Sequence, residues 1–365
     1  LEYMISTKIK TLIDIDKKTI GLMNLDKNSE IKTDNLRAQL NQHYNFRIID
    51  PTANIPESID VLLISAATDT VDTSTINNIR KYLGSGKKVF LAQSGVNADI
   101  KTQQANPLFS NIFDLLKDFR LDLQKNLVLD AKCGNVQVQE QRGIFLMNRP
   151  VQYPLFPTID TFNGSDSLSG IVVNDLEQVL LLFPSEIKID SIQNENVNSI
   201  STLFTSSNNS GIMESNLVLS PDPQQNPFIR MLGQPAKLLA ATSRLNNGGE
   251  LMLVSDSRFL TDEGGMSIPV NMIFMMNAVD YLANDADLIA LRSREITSRP
   301  LDILQLSDEE EKSMSQDDKD KLKNSKKKRW KFANMVLPTL LIMGFGFYRI
   351  RREKIQAEVL KQIYD

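Results

Sequence analysis

The stretch Asp60-Val61-Leu62-Leu63-Ile64-Ser65 constrains the fold more than any other. Its apolar residues run on without alternation, so both faces of the strand they form must be covered. That is the signature of a parallel sheet with helices on either side. Neighbouring segments repeat the theme. Thr19-Ile20-Gly21-Leu22-Met23, Phe46–Ile49 and Lys88-Val89-Phe90-Leu91-Ala92-Gln93 read as further strands. Helices are predicted near Thr33–His43 with Thr33 as N-cap, over Ser74–Leu83 with Gly84 and Gly86 closing it, and over Pro107–Phe119. The alternation argues an α/β fold, a doubly wound and mostly parallel sheet.

The rhythm changes at about residue 135. Between 135 and 245 short strand candidates follow one another: Val136–Val138, Gly143–Met147, Gly170–Val173, Gln178–Phe183 and Ser201–Phe204. Turn clusters such as Asn163-Gly164-Ser165-Asp166 separate them, so a β-rich insertion or second lobe is expected here. Lys237–Thr242 and Glu250-Leu251-Met252-Leu253-Val254-Ser255 read as strands returning to the main sheet. Asn271–Leu282 reads as an apolar helix that closes a domain over residues 1–300.

Beyond it the composition shifts. Residues 301–331 form a charged linker, either a solvated helix or disordered. From Phe332 to Tyr348 there is no charge, and basic clusters lie on both sides: Lys326-Lys327-Lys328-Arg329 before, Arg349-Ile350-Arg351-Arg352 after. The length approaches the minimum for a membrane-spanning helix, with Trp330 and Tyr348 placed as interfacial rings. Pro338 lies mid-run, which membrane helices tolerate. Gly344 and Gly346 offer a close approach to a partner helix. A transmembrane helix over 332–349 and a basic tail over 350–365 are therefore expected.

Charge and cysteine content narrow the function. The net charge is −4 and the strongly basic stretches flank the apolar run, which argues against nucleic acid as a partner. Cys133 is the sole cysteine, so no intrachain disulfide exists. The chain opens Leu1-Glu2-Tyr3 without a signal peptide and reads as a fragment.

Catalytic signatures are sparse. His43, the single histidine, sits at a helix end, where interaction with the helix dipole explains it better than a general base or ligand would, since a base needs a nucleophile or metal partner. Cys133 lacks the small flanking residues of a nucleophile elbow. No phosphate-binding glycine loop is present, and neither a cofactor nor a metal is called for. The strand ends remain, because open α/β sheets place ligands there. They carry Ser65 and Thr68, then Gln93, Ser94 and Asn97, and finally Ser255, Asp256 and Arg258. Ser94 can be a turn hydroxyl, and Asp256 can cap a turn or hold a ligand.

Several segments together resemble a known family. They are Leu1 through Ile9 leading into Ile20-Gly21, Gly249 through Leu260, Asn271 through Leu282, and Asp287 through Arg294, followed by the charged linker and apolar run. The pattern is similar to the GldG-type auxiliary, substrate-binding-like subunits of gliding-motility ABC transporter systems in Bacteroidetes. The resemblance implies an amidotransferase-like or flavodoxin-like domain, also akin to an intraflagellar-transport domain, without the amidotransferase catalytic set. Cys133 and His43 fit that absence, since the histidine precedes the cysteine. It also implies a further N-terminal domain and membrane helix, and ABC permease and ATPase subunits as partners. The large domain would then be periplasmic at the inner (cytoplasmic) membrane.

The basic residues point the other way. Seven lie between Lys321 and Lys331 and four between Arg349 and Lys354, which by the positive-inside rule favours a cytoplasmic domain. The family topology sets the expectation: a non-enzymatic subunit, with lipid contact through the last helix and a possible homo-oligomer. An amidotransferase-like or carbohydrate-processing enzyme and a structural oligomerisation module are the alternatives.

Overall fold

The computed structural model describes residues 17–26, 31–142, 145–163, 168–173, 176–191, 194–222, 226 and 228–284. Beyond these it describes Met343, Phe345, Gly346 and residues 348–352. The chain divides into two compact units, Leu1–Thr297 and Ser298–Asp365.

In the first unit the parallel strands come first: β1 (Thr19–Asn24), β2 (Asn45–Ile49), β3 (Val61–Ser65) and β4 (Lys88–Ala92). Helix α1 (Asp34–His43) links β1 to β2, and α2 (Thr73–Gly84) links β3 to β4. A small hairpin, β5 (Val96–Asp99) with β6 (Gln104–Pro107), precedes α3 (Ile112–Asp118). Next come β7 (Leu121–Leu123), β8 (Leu127–Asp130), and the long hairpin of β9 (Cys133–Arg142) and β10 (Phe145–Ile159). The strands β11 (Thr161–Phe162), β12 (Val179–Leu180), β13 (Ile187–Ile189), β14 (Val197–Thr205) and β15 (Ser210–Met213) follow. Then β16 (Leu238–Leu245) and β17 (Glu250–Val254) lead into α4 (Pro269–Leu282).

Eight strands form the main sheet in the order β11-β14-β16-β17-β4-β3-β1-β2. The five from β17 to β2 are parallel, and β16, β14 and β11 continue the sheet antiparallel. The chain passes from β1 outward to β2 and then back across to β3, so the winding reverses between β1 and β3.

Strand periodicity divides the core between the two faces. Leu22, Leu63, Phe90 and Met252 point to the face covered by Leu36 and Leu40 of α1 and Phe274 and Ala278 of α4. Met23, Leu62, Leu91 and Leu253 point to the face covered by Ile76 and Ile79 of α2 and Leu115 and Leu116 of α3. This is why β3 shows no alternation: each of its residues has a buried face to fill. A third cluster lies under the long hairpin, where Tyr153 stands edge-on to Phe156, Phe183 and Phe228 at 4.8, 6.1 and 5.7 Å.

Several expectations need correction. Gly170–Val173 is not a strand; Leu168–Val172 form a 3-10 turn, and Val172 is buried in the core cluster that contains α4. Its carbonyl accepts from the Asn277 amide at 3.3 Å, so a helix side chain takes the place of a neighbouring strand. The helix expected from Pro107 starts at Ile112, because Gln104–Pro107 pairs with Val96–Asp99. Thr33 occupies the N-cap of α1 without a side-chain bond there. Asp262 caps the helix instead, from the loop after β17: its carboxylate accepts from the Asp34 N–H at 2.7 Å and the Asn35 N–H at 3.1 Å. Within 135–245, β11 and β14 also join the main sheet, beside β16, the strand expected to return to it, while β9 and β10 form a long hairpin of their own. Gly86 does close α2, at φ +84.

Of the apolar run, Met343, Phe345, Gly346 and Tyr348 are helical, and Met343, Phe345 and Tyr348 are exposed. Trp330, Pro338, Gly344 and the linker lie outside the described residues. Among the described residues no helix is long and apolar enough to cross a membrane.

Candidate functional site

A cleft of about 360 Å³ opens at the carboxyl ends of the parallel strands. It lies where open α/β sheets hold ligands, at the reversal between β1 and β3, and its size falls within the range of small-molecule sites. Asp26 follows β1, Lys32 precedes α1, Ser65 and Thr68 leave β3, and Asn97 stands on the hairpin after β4. The loop after β17 contributes Ser257, Arg258, Thr261 and Glu263.

Four of the eight residues expected at the strand ends line this cleft together: Ser65, Thr68, Asn97 and Arg258. The other four lie among the buried residues and build its support. The Gln93 amide accepts from the Ala67 N–H at 2.8 Å and donates back to the Ala67 carbonyl at 3.1 Å, fixing the loop that carries Thr68. The Ser94 hydroxyl donates to the Val96 carbonyl at 2.8 Å and lies 3.1 Å from the Ser257 hydroxyl. The Ser255 carbonyl accepts from the Ser185 N–H at 3.1 Å. Asp256 is fully buried; its two carboxylate oxygens accept from the Leu182 and Arg258 N–H groups, each at 2.8 Å. Burial pushes the Asp256 carboxyl up to about 7, while those amides and the Arg258 guanidinium pull it back toward ionisation.

Sequence reading missed Asp26, Lys32, Thr261 and Glu263, while Ser257 lies within the strand end it singled out. Two depend on the loop after β17 folding back onto the start of α1, where Lys32 pairs with Glu263 at 3.3 Å. For Asp26 a signal did exist, since β1 is a parallel strand and its carboxyl end belongs to the site by the same rule as the others.

The Arg258 loop is tightly wound. The Arg258 carbonyl accepts from the Thr261 hydroxyl at 2.9 Å and from the Gly265 N–H at 3.1 Å. A Cβ on Gly264 would lie 2.2 Å from that carbonyl oxygen, so only glycine fits. Phe259 anchors the loop in the core, edge-on to Phe274 at 5.7 Å. The Arg258 guanidinium lies 5.9 Å from the Phe183 ring and donates to the Ala98 carbonyl at 3.1 Å.

Neither His43 nor Cys133 lines the cleft. His43 stands at the end of α1 beside Met272 and Met276 of α4. Cys133 starts β9 half-buried, and burial pushes its thiol up, away from the reactive thiolate. Among the described residues no group of three or more His, Cys, Asp or Glu side chains is placed to hold a metal ion.

Among solved structures, the mmIFT52 N-terminal domain aligns with a TM-score of 0.47 at 11% identity, over 72% of this chain and 96% of its own. A ThuA-like protein from Parabacteroides merdae aligns with a TM-score of 0.37 at 10% identity, over 74% and 91%. PurLQS from Thermotoga maritima aligns with a TM-score of 0.35 at 8% identity, over 73% and 99%. No curated protein matches the sequence. The family described as an ABC-type uncharacterized transport system matches residues 17–278. That span takes in the whole main sheet and all of the cleft, and the chain therefore belongs to this family of auxiliary proteins of ABC-type transport systems.

Proposed function

We propose that the protein is a non-enzymatic, membrane-anchored auxiliary subunit that binds a ligand or partner in the strand-end cleft and works with an ABC permease and ATPase. The observation that carries this reading is the family span over a polar cleft that His43 and Cys133, the candidate base and nucleophile, do not line. Residues 301–331 act as linker, 332–349 as the anchor and 350–365 as a basic tail in the headgroups. The large domain is periplasmic, and the system serves gliding motility, as the resemblance of Gly249 through Leu260 and Asn271 through Leu282 suggests. Energy would come from the partner ATPase, because the sequence carries no phosphate-binding loop.

Native purification from membranes in mild detergent tests the assembly. A permease and an ATPase co-eluting in fixed ratio are expected. A protein that elutes alone from cells expressing the transporter would remove the subunit reading.

A further inference from the structure

Some polar side chains in the lining of the cleft make no hydrogen bond with a described residue. Ser65 is only 2% exposed, yet its hydroxyl spends no hydrogen bond on any described residue. The half-buried Thr68 and the exposed Asn97 side chains likewise make no hydrogen bond with a described residue. A cleft-lining hydroxyl without a protein partner is left to bond water or a ligand.

Arg258 shows the same condition in charged form. One guanidinium nitrogen donates to the Ala98 carbonyl and the group lies near the Phe183 ring. Among the described residues no carboxylate lies within ion-pair distance of it. Its remaining donors keep the fork geometry that matches a carboxylate or phosphate.

Two features separate those anions. The N-terminus of α1, beside the strand reversal, would be the natural seat for a phosphate. The Asp262 carboxylate already fills it. Lys32, the other cation in the lining, is matched by Glu263. Arg258 already interacts with the buried Asp256 carboxylate, and Asp26 adds a negative charge to the lining, so beside its hydroxyl and amide groups the cleft suits a ligand with no more than one negative charge.

Resting on the reading of the cleft as the binding site, we propose that it takes a small hydroxylated carboxylate. Arg258 would grip the carboxylate, and Ser65, Thr68 and Asn97 would bond the hydroxyls. Sugar acids and short hydroxy acids share this chemistry.

Titration calorimetry on the full chain in detergent tests it, with glucuronate and glycerate as probes and glucose, acetate and inorganic phosphate as comparisons. Saturable binding of at least one hydroxy acid is expected, at least tenfold weaker in Arg258→Gln and only partly weakened in Arg258→Lys. Glucose and acetate, each carrying half of the recognised chemistry, bind at least tenfold more weakly than that acid. Tighter binding of phosphate overturns the proposed class. So does glucose binding that Ser65→Ala or Thr68→Ala weakens and Arg258→Gln leaves intact, a result that keeps the cleft as the site. Absence of binding by every probe, or binding indifferent to all four substitutions, overturns the class and the cleft together.

Discussion

At the scale of single residues, the strand ends were legible and their orientation was not. The rule that open sheets place ligands at strand ends singles out Ser65, Thr68, Asn97 and Arg258, and these four line one cleft. Gln93 and Asp256 were found by the same rule, yet they point inward and hold loops, a role set by bonds to Ala67 and Leu182 that no local pattern announces. Asp256 leads to a pH prediction. Its folded pKa, pushed up to about 7, lies above the ordinary carboxylate value, so between roughly pH 4 and 7 the folded state holds a proton that the unfolded chain has released. Stability from this group is therefore greatest at low pH and declines as pH rises through that window, by at most about 1.4 kcal/mol for each pH unit crossed. Thermal unfolding of the wild type and Asp256→Asn at pH 5 and pH 8 checks it. The gap between the two proteins should change with pH in the direction that favours the variant at pH 8. A constant gap would mean that Asp256 is ionised throughout.

At the scale of elements, apolar content was the reliable guide and partner choice was not. The sequence of β3 announced burial on both faces, and α4 announced a core helix, because each carries its own apolar residues. The cap of α1 and the turn at Leu168–Val172 depend on residues about a hundred or more positions away, Asp262 and Asn277, so local propensity misassigned both. The end of α4 is tied to the sheet in the same long-range way. Glu250, 1% exposed at the start of β17, accepts from the Tyr281 hydroxyl at 2.7 Å and the Thr242 hydroxyl at 2.8 Å. Lys88 and Arg244 each stand 3.6 Å from its other oxygen. Removing one member of such a buried group strands the rest. Glu250→Ala should cost about 3–5 kcal/mol in denaturant unfolding, far more than the ~0–1 kcal/mol expected from breaking the exposed Lys32–Glu263 pair. Equal losses at the two sites would show that the Glu250 cluster does not fasten α4.

At the scale of the whole molecule, the strand-end cleft and the apolar run put different demands on one chain. The cleft rests on a sheet whose two faces are filled, among the described residues, by core clusters of the first unit. The expectation is that ligand binding is independent of residues 332–349. The proposed anchoring would in turn call only for an uncharged stretch long enough to meet the hydrocarbon thickness. The two properties should separate under mutation. Leu341→Arg places a charge mid-run, at a cost of about 2.5–3.5 kcal/mol by insertion scales and more by other measures. The expected outcome is that the wild type stays in the membrane pellet after alkaline carbonate washing and the variant shifts toward the supernatant. Its unfolding midpoint and its cleft affinity should be unchanged. A variant that pellets as fully as the wild type would argue that 332–349 is not the anchor. One that leaves the membrane and also loses cleft affinity would show that the domain depends on its anchor, against the expected independence.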